Sequence, residues 1–137
     1  MRDLLRLFGD AFDERETYCG NQPGDSYLAE LLSREEFIAL ACRSDAGEIL
    51  GGLCAYTLPK FEQARSEIYI YDLAVAEPFR RQGIASALIA SLGELADRIG
   101  AHAVFVQADI GDDEAIALYS KHGPREDVCH FDVWRRA

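Results

Sequence analysis

One stretch near the middle of the chain constrains its fold most: an apolar strand that runs straight into a basic turn and then a helix. The predicted strand ends at Glu77-Pro78, and Arg80 and Arg81 follow it. The helix then opens at the small residues Gly83 and Ala85. The first N–H groups of a helix have no partner within the helix, so they can bind an anion, and small residues let a phosphate approach closely. The stretch therefore predicts a phosphate-binding turn.

The spacing of apolar residues predicts one α/β domain over residues 1–137 with a mixed sheet. The strands that flank the helix after the basic turn are far enough apart for a parallel crossover. Gly51-Gly52, in the second arm of a predicted hairpin, indicates a bulge or a close backbone approach. The predicted elements are a helix around Leu4 to Phe12, a loop from Tyr18 to Gly24, a helix capped by Asp25 or Ser26, strands at 37–42, 49–58 and 67–76, a helix ending at Gly100, a strand at 103–108, a helix capped by Asp112 or Asp113 and a last strand at 128–134.

The net charge of −10 limits the classes of partner. Nucleic acid would be repelled by most of such a surface, so it is not an expected partner. A local basic turn can still hold phosphates while the remaining negative field attracts a cationic small molecule. Solubility alone is the alternative explanation of the charge.

The cysteines and the apolar runs indicate the compartment. The four cysteines are widely spaced and form no CxxC pair, so neither a metal site nor a disulfide framework is expected. No apolar run is long enough to cross a membrane, and no leader pattern is present. We therefore expect a cytoplasmic protein without a membrane partner.

The pattern Arg80-x-x-Gly83-x-Ala85 after an apolar strand resembles the acyl-CoA pyrophosphate loop of the GNAT superfamily of N-acetyltransferases. The resemblance implies a mixed, mostly antiparallel central sheet flanked by helices, with acetyl-CoA as the cofactor. It also implies a sheet that splays at Leu73 to Val75, where backbone groups hold the pantetheine arm and Val75 N–H polarises the acyl carbonyl. The implied cofactor-binding residues are Leu73, Ala74, Val75, Arg80, Arg81, Gln82, Gly83, Ile84, Ala85, Asp112 and Ala115.

A second motif, Ala115-x-x-Leu118-Tyr119 before Gly123, is similar to the other landmark of that family. By resemblance, the phenol of Tyr119 lies near the thioester sulfur and protonates or hydrogen-bonds the departing thiolate. A half-buried core tyrosine is the alternative interpretation. Asp112 stands where many relatives have Asn, and helix capping is an adequate explanation for it.

More specific segments resemble the aminoglycoside 3-N-acetyltransferases of the GNAT type, the gentamicin-resistance branch. They are residues 58–63, 66–75, 80–85, 106–109 and 111–113, spread over most of residues 35–133. This resemblance implies an aminoglycoside as the cationic acceptor. Such proteins normally begin with a strand, whereas this chain starts within the first helix. Either the fold tolerates a missing first strand, for instance as a homodimer, or the stated start is not the natural one.

Direct attack on a thioester requires a neutral amine, so a base must take the proton of the ammonium group. Glu67, Asp72 and Asp109 are the candidates for proton acceptor or for holder of the cation. Alternation puts Glu67 with the tyrosines of the same strand on one side and Asp72 on the other, unless a bulge rotates it. The predicted catalytic residues are Tyr119, Asp72 and Glu67, and the predicted substrate-binding residues are Tyr69, Tyr71, Asp109 and Asp113.

Two other functions stay open on the sequence alone. The acceptor could be another polyamine, such as spermidine, or a protein amine, because an acidic cleft suits any of these cations. Alternatively, the chain could bind acyl-CoA without catalysing a transfer.

Overall fold

The computed structural model describes residues 1–137, which fall into two compact units, residues 1–107 and 108–137. The elements of the first unit are α1 (Arg2–Ala11), α2 (Arg15–Cys19), α3 (Asp25–Ser33), β1 (Phe37–Arg43), β2 (Ile49–Pro59), β3 (Ser66–Val75), a 3-10 turn (Glu77–Phe79), α4 (Ile84–Ile99) and β4 (Ala103–Val106). The second unit contains α5 (Asp113–Ser120). None of these helices combines the length and apolar character needed to cross a membrane.

The four strands form one sheet in the order β1-β2-β3-β4. Strands β1, β2 and β3 are antiparallel neighbours, and β4 lies parallel to β3 after the crossover through α4. The predicted mixed, mostly antiparallel sheet flanked by helices is therefore confirmed, and the predicted hairpin is β1–β2.

Side chains alternate between the two faces of the sheet along each strand, and a different helix packs on each face. On one face, α4 packs on a core of Ile38, Leu53, Ala55, Ile68, Ile70, Leu88, Leu92 and Ala96. On the other face, α1 packs on the strands, and the buried residues there are Leu4, Leu7 and Phe8 of α1, Cys54 of β2 and Ala74 of β3. We refer below to the α4 face and the α1 face.

The adjacent glycines of β2 allow a helix to approach on each face. A Cβ atom at Gly52 would collide with the side chain of Leu4 on α1. A Cβ atom at Gly51 would lie 2.8 Å from Cγ2 of Ile84 on α4. The close backbone approach predicted for Gly51-Gly52 is confirmed, since a Cβ atom at either position would displace the helix side chain that packs there.

Two local predictions near the N-terminus are wrong. Part of the predicted loop from Tyr18 to Gly24 is helical, because α2 extends to Cys19. Neither Asp25 nor Ser26 caps α3, whose N-cap is Gly24 without a side-chain hydrogen bond. Asp25 instead forms an ion pair with Arg2, 2.5 Å from its Nη2, so tertiary contact takes the carboxylate away from the cap.

The second unit begins its helix as predicted but lacks the predicted last strand. Asp112 is the N-cap of α5, and its Oδ1 accepts a hydrogen bond from Ala115 N–H at 3.1 Å. Residues 128–134 belong to no strand and form no backbone hydrogen bond, although their apolar residues alternate. Alternation favours a strand only where a neighbouring edge supplies the ladder. Local side-chain bonds, such as His130 Nε2 to Asp132 Oδ1 at 3.1 Å, occupy this segment instead.

Candidate active site

The centre of the site is an irregularity in β3. Cys54 pairs with Asp72 across the ladder, while the next residue of β2, Ala55, pairs with Ile70. Tyr71 therefore has no opposite residue and is the extra residue of a β-bulge. The resemblance implied a splayed sheet at Leu73 to Val75, and the bulge lies just before that stretch.

The bulge places Asp72 on the α1 face of the sheet, whereas regular alternation would place it on the α4 face. Ile70 belongs to the core of the α4 face, and a regular strand would put Asp72, two residues later, on that face too. Asp72 is instead opposite Cys54, which belongs to the α1 face, and it is bonded there by Tyr18 of α2. The sequence predicted that Asp72 would lie opposite the tyrosines of β3 unless a bulge rotated it. The bulge is present, so Asp72 shares a face with Tyr69 and Tyr71.

The carboxylate of Asp72 is half-buried and has one hydrogen-bond donor. Tyr18 Oη lies 3.1 Å from each of its two oxygens. Burial raises the pKa of Asp72, the Tyr18 hydrogen bond opposes that rise, and the nearby Glu14 adds to it. Burial, and then the charge of Asp72, also raise the pKa of Tyr18, so this phenol stays a donor. The arrangement leaves a carboxylate whose affinity for protons is higher than that of an exposed aspartate.

Cys54 is not a nucleophile in this site. Burial, followed by the charge of Asp72, raises the pKa of its thiol to about 12. The thiolate is the reactive form, so a thiol with this pKa behaves as a small buried apolar group.

A row of aromatic rings crosses the sheet beside Asp72. The Tyr71 ring lies edge-on to Tyr56 and tilted to Tyr69, with centroid distances of 5.7 Å in both pairs. The row continues to β1 through Phe37, 5.4 Å from Tyr56, and to β4 through Phe105, 4.8 Å from Tyr69. Tyr71 is 62% exposed. Tyr69 and Tyr71, which the sequence predicts to bind the substrate, are thus part of a longer aromatic surface that can contact the apolar face of a ligand.

The sheet opens next to the bulge. The parallel ladder between β3 and β4 stops at Ile70, whereas the ladder between β3 and β2 continues to Val75. Ala76 N–H donates to Leu50 of β2, and Val75 C=O accepts from Arg80 Nε at 3.1 Å. Because the N–H and C=O of one strand residue point to the same side, the N–H groups of Leu73 and Val75 point away from β2, into the opening.

The loop before α4 presents free backbone donors. The N–H groups of residues 81–85 donate to no backbone carbonyl in the turns and loops of the chain, and Gly83 caps the helix without a side-chain hydrogen bond. Arg81 and Gly83 have positive φ angles of 62° and 82°. Alternation of left-handed residues with ordinary ones turns successive N–H groups toward one point, which makes an anion-binding concavity. Nothing lies within 4 Å of a Cβ built on Gly83, so the approach to these donors is open.

Arg80 braces this loop on the strand through its bond to Val75 and borders a groove of ≈ 250 Å³. The other residues that line the groove are Leu7, Asp10, Ala11, Ala76, Glu77 and Pro78. Arg81 and Gln82 are exposed. Asp72, the opening beside Leu73 and Val75, and the loop before α4 are therefore consecutive in the chain, from the end of β3 to the start of α4.

Within the first unit, the other predicted base, Glu67, does not lie beside Asp72. Glu67 lies five residues earlier in β3, and its Oε2 is 3.4 Å from Lys60 Nζ. A rise of about 3.3 Å per residue separates the two carboxylates by roughly 16 Å along the strand. Glu67 already has a cation partner within the chain.

The remaining predicted residues belong to the second unit. Asp109 and Asp113 are exposed, and Asp112 caps α5 through Ala115. Tyr119 is half-buried on α5. The capping explanation of Asp112 is confirmed, whereas the roles predicted for Asp109, Asp113, Ala115 and Tyr119 stay predictions.

Sequence reasoning missed Tyr18 and Gln107. Tyr18 lies 54 residues from the carboxylate that it binds, and Gln107 Oε1 accepts a hydrogen bond of 2.8 Å from the Tyr69 hydroxyl. Neither partner is in the same element, so no local pattern marks them. Only the tertiary contact between Tyr18 and Asp72 reveals Tyr18.

Comparisons with known proteins bear on this geometry. Residues 1–123 match the Acetyltransferase (GNAT) family. The chain is 32% identical over 80 residues to the uncharacterized N-acetyltransferase YdgE of Bacillus subtilis (strain 168). The matched region covers 58% of this chain and 50% of that protein. The chain spans about half the length of the curated relatives it matches.

Two crystal structures are similar over nearly the whole chain. One is an aminoglycoside acetyltransferase from an uncultured soil metagenomic sample, with 58% identity, a TM-score of 0.95, and coverage of 99% of this chain and 90% of that one. The other is an aminoglycoside acetyltransferase from an uncultured soil metagenomic sample in complex with sisomicin, with 32% identity, a TM-score of 0.89, and coverage of 98% and 87%.

Proposed function

Because this chain belongs to the Acetyltransferase (GNAT) family, we propose that it transfers the acetyl group of acetyl-CoA to an amine of an aminoglycoside. The observation that carries the proposal is its 58% identity, over 99% of the chain, to an aminoglycoside acetyltransferase. We propose the 3-amino group as the acceptor, with a gentamicin-like drug as substrate and drug resistance as the consequence. These three proposals rest on the sequence resemblance of β3 and of residues 106–113.

The donor set of the loop before α4 fits the diphosphate of CoA. Five consecutive N–H groups, at residues 81–85, donate to no backbone carbonyl in the turns and loops, and the same loop contains the two arginines Arg80 and Arg81. Charge-assisted bonds to phosphate oxygens are the strong kind of hydrogen bond, and the N-terminus of α4 adds its dipole. When bound there, acetyl-CoA supplies an acyl thioester that an amine can attack. Leu73 and Val75 would hold the pantetheine arm through the N–H groups that face the opening.

Asp72 is the proposed base. An aminoglycoside carries several ammonium groups, and the amine that reacts must lose a proton to expose its lone pair. A half-buried carboxylate with a raised pKa accepts that proton better than an exposed aspartate, whose affinity for protons is lower. Glu67 is the weaker candidate, because its carboxylate already forms an ion pair with Lys60.

The remaining parts of the mechanism use the backbone and the second unit. Val75 N–H would polarise the acyl carbonyl as negative charge develops on its oxygen. Tyr119 would return a proton to the thiolate of the leaving group, and Asp109 and Asp113 would bind ammonium groups of the acceptor. This division of roles treats residues 1–137 as one functional domain, in a reducing compartment such as the cytoplasm.

A panel of acceptors tests the proposal. Release of free thiol is followed with acetyl-CoA and either sisomicin, gentamicin, spermidine or a short peptide with a free α-amine. We expect turnover of the aminoglycosides well above that of spermidine and peptide, and NMR of the product should place the acetyl group on the 3-amine. Turnover of spermidine or peptide without any aminoglycoside would refute the proposed acceptor, and an absence of turnover with every amine would refute catalysis.

A further inference from the structure

Tyr18 is the side chain that fixes the proposed base. Its ring packs against Phe8 and Phe12, with centroid distances of 5.9 and 5.8 Å, so α1 and α2 hold it in place. Its hydroxyl lies 3.1 Å from both oxygens of Asp72. We propose that Tyr18 is a positioning residue for acetyl transfer: it keeps the Asp72 carboxylate ionised and aims it at the acceptor amine. This inference rests on the proposed function.

The surroundings of Asp72 explain why one hydroxyl matters. No lysine, arginine or histidine forms an ion pair with Asp72, and Tyr18 is the one side chain that donates a hydrogen bond to it. The titratable groups that interact with Asp72 directly are Tyr18, Glu14, Cys54, Tyr56 and Tyr69, and those that interact with these partners are Tyr71, Tyr27 and the N-terminal amine. Without a facing cation, the ionised form of a half-buried carboxylate depends on its hydrogen bond.

The bond also constrains direction. A donor centred between the two oxygens lies near the extension of the Cβ–Cγ bond, so it holds the direction in which the carboxylate points and leaves the outer lone pairs for the substrate. Tyr18 keeps its proton during this role, because burial raises the pKa of its hydroxyl. It is therefore neither the acid nor the base of the reaction.

A merely structural bond would tie α2 to the sheet and do no more. The two roles differ in their pH dependence. If Tyr18 stabilises the charged form of Asp72, its removal makes Asp72 protonate at higher pH, so activity is lost first on the acid side. If Tyr18 only supports the fold, activity falls equally at every pH.

The test compares wild type, Tyr18→Phe, Asp72→Asn and the double variant. The measured quantity is kcat/KM for sisomicin from about pH 5 to about pH 9, below the unfolding temperature of every variant. Tyr18→Phe should lower kcat/KM about tenfold on the acid limb, equal to about 1.4 kcal/mol, and less on the plateau. In the Asp72→Asn background, the same change should alter kcat/KM by less than about twofold, because the two residues act as one unit.

Tyr27→Phe is the matched control, since it removes a hydroxyl from a tyrosine that is 61% exposed on α3. Its pH profile should equal that of wild type. A wild-type profile for Tyr18→Phe, or a loss that is uniform over pH and repeated in the Asp72→Asn background, would overturn the positioning role alone. If the wild-type protein acetylates no amine, the proposed function fails, and this inference fails with it.

Discussion

Replacing Asp72 with asparagine should separate activity from stability. The side chain keeps its size and an oxygen that can accept from Tyr18, whereas the negative charge and the proton affinity are lost. Loss of a general base lowers the rate about 10²- to 10⁴-fold. We expect kcat/KM for sisomicin to fall by at least that lower factor at neutral pH.

Stability should behave differently. Burial raises the pKa of Asp72 above its value in the unfolded chain, so the folded state binds the proton more tightly. The stabilisation that the protonated form contributes is fully present below the unfolded pKa and is lost as the pH rises through the folded pKa. At neutral pH the half-buried charge is therefore a cost that asparagine removes.

The size of the net change follows from two opposing effects. A hydrogen bond to a charged group contributes about 1.5–3 kcal/mol and a neutral one about 0.5–1.5, so the amide accepts a bond weaker by about 1 kcal/mol. Relief of the buried charge offsets this loss. The free energy of unfolding of Asp72→Asn should thus lie within about 1 kcal/mol of wild type at neutral pH.

Urea unfolding near pH 5 and near pH 8, beside the thiol-release assay, measures both quantities. As the pH falls, wild type should gain stability relative to Asp72→Asn. Glu67→Gln is the matched comparison, and it should lower kcat/KM much less because Lys60 pairs with that carboxylate. The reasoning is refuted if Asp72→Asn retains more than about a tenth of the activity, or if its stability relative to wild type improves as the pH falls.

Three further substitutions test the loop, the sheet and the second unit. Gly83→Ala forces a side chain into a left-handed φ of 82°, at a cost of about 1–2 kcal/mol, and should weaken CoA binding in calorimetric titration; unchanged affinity would contradict the role of the loop. Gly52→Ala should lower the free energy of unfolding by about 1–3 kcal/mol because its Cβ meets the buried Leu4, and a neutral result in urea would contradict the packing. Asp112→Ala should cost about 1 kcal/mol by leaving Ala115 N–H without its cap, which helix circular dichroism during thermal unfolding detects.

The loop and most elements were predictable because local chemistry decides them. Residues 80–85 contain the glycine, the small residue and the arginines of an anion site within a few positions of each other. Gly83 and Gly100 bound α4 through left-handed backbone conformations that glycine adopts without strain. A motif whose donors, turn and helix are adjacent in sequence needs no distant residue to form.

The position of Asp72 depended on tertiary structure. Alternation alone puts Asp72 on the face of Ile70, and the bulge at Tyr71 reverses this. A bulge is a property of two strands together, so the sequence of β3 leaves it undetermined. The partner of Asp72 comes from α2, 54 residues away, for the same reason.

Residues 128–134 show the converse error. Their alternation has the period of a strand, but a strand also requires an edge to pair with, and these residues form no backbone hydrogen bond. The sequence by itself determined the turn that leaves backbone donors open before α4, because that turn uses the chain's own backbone over a few residues. The tertiary structure decided which face of the sheet Asp72 occupies and what holds it, because those contacts join segments that are distant in the chain.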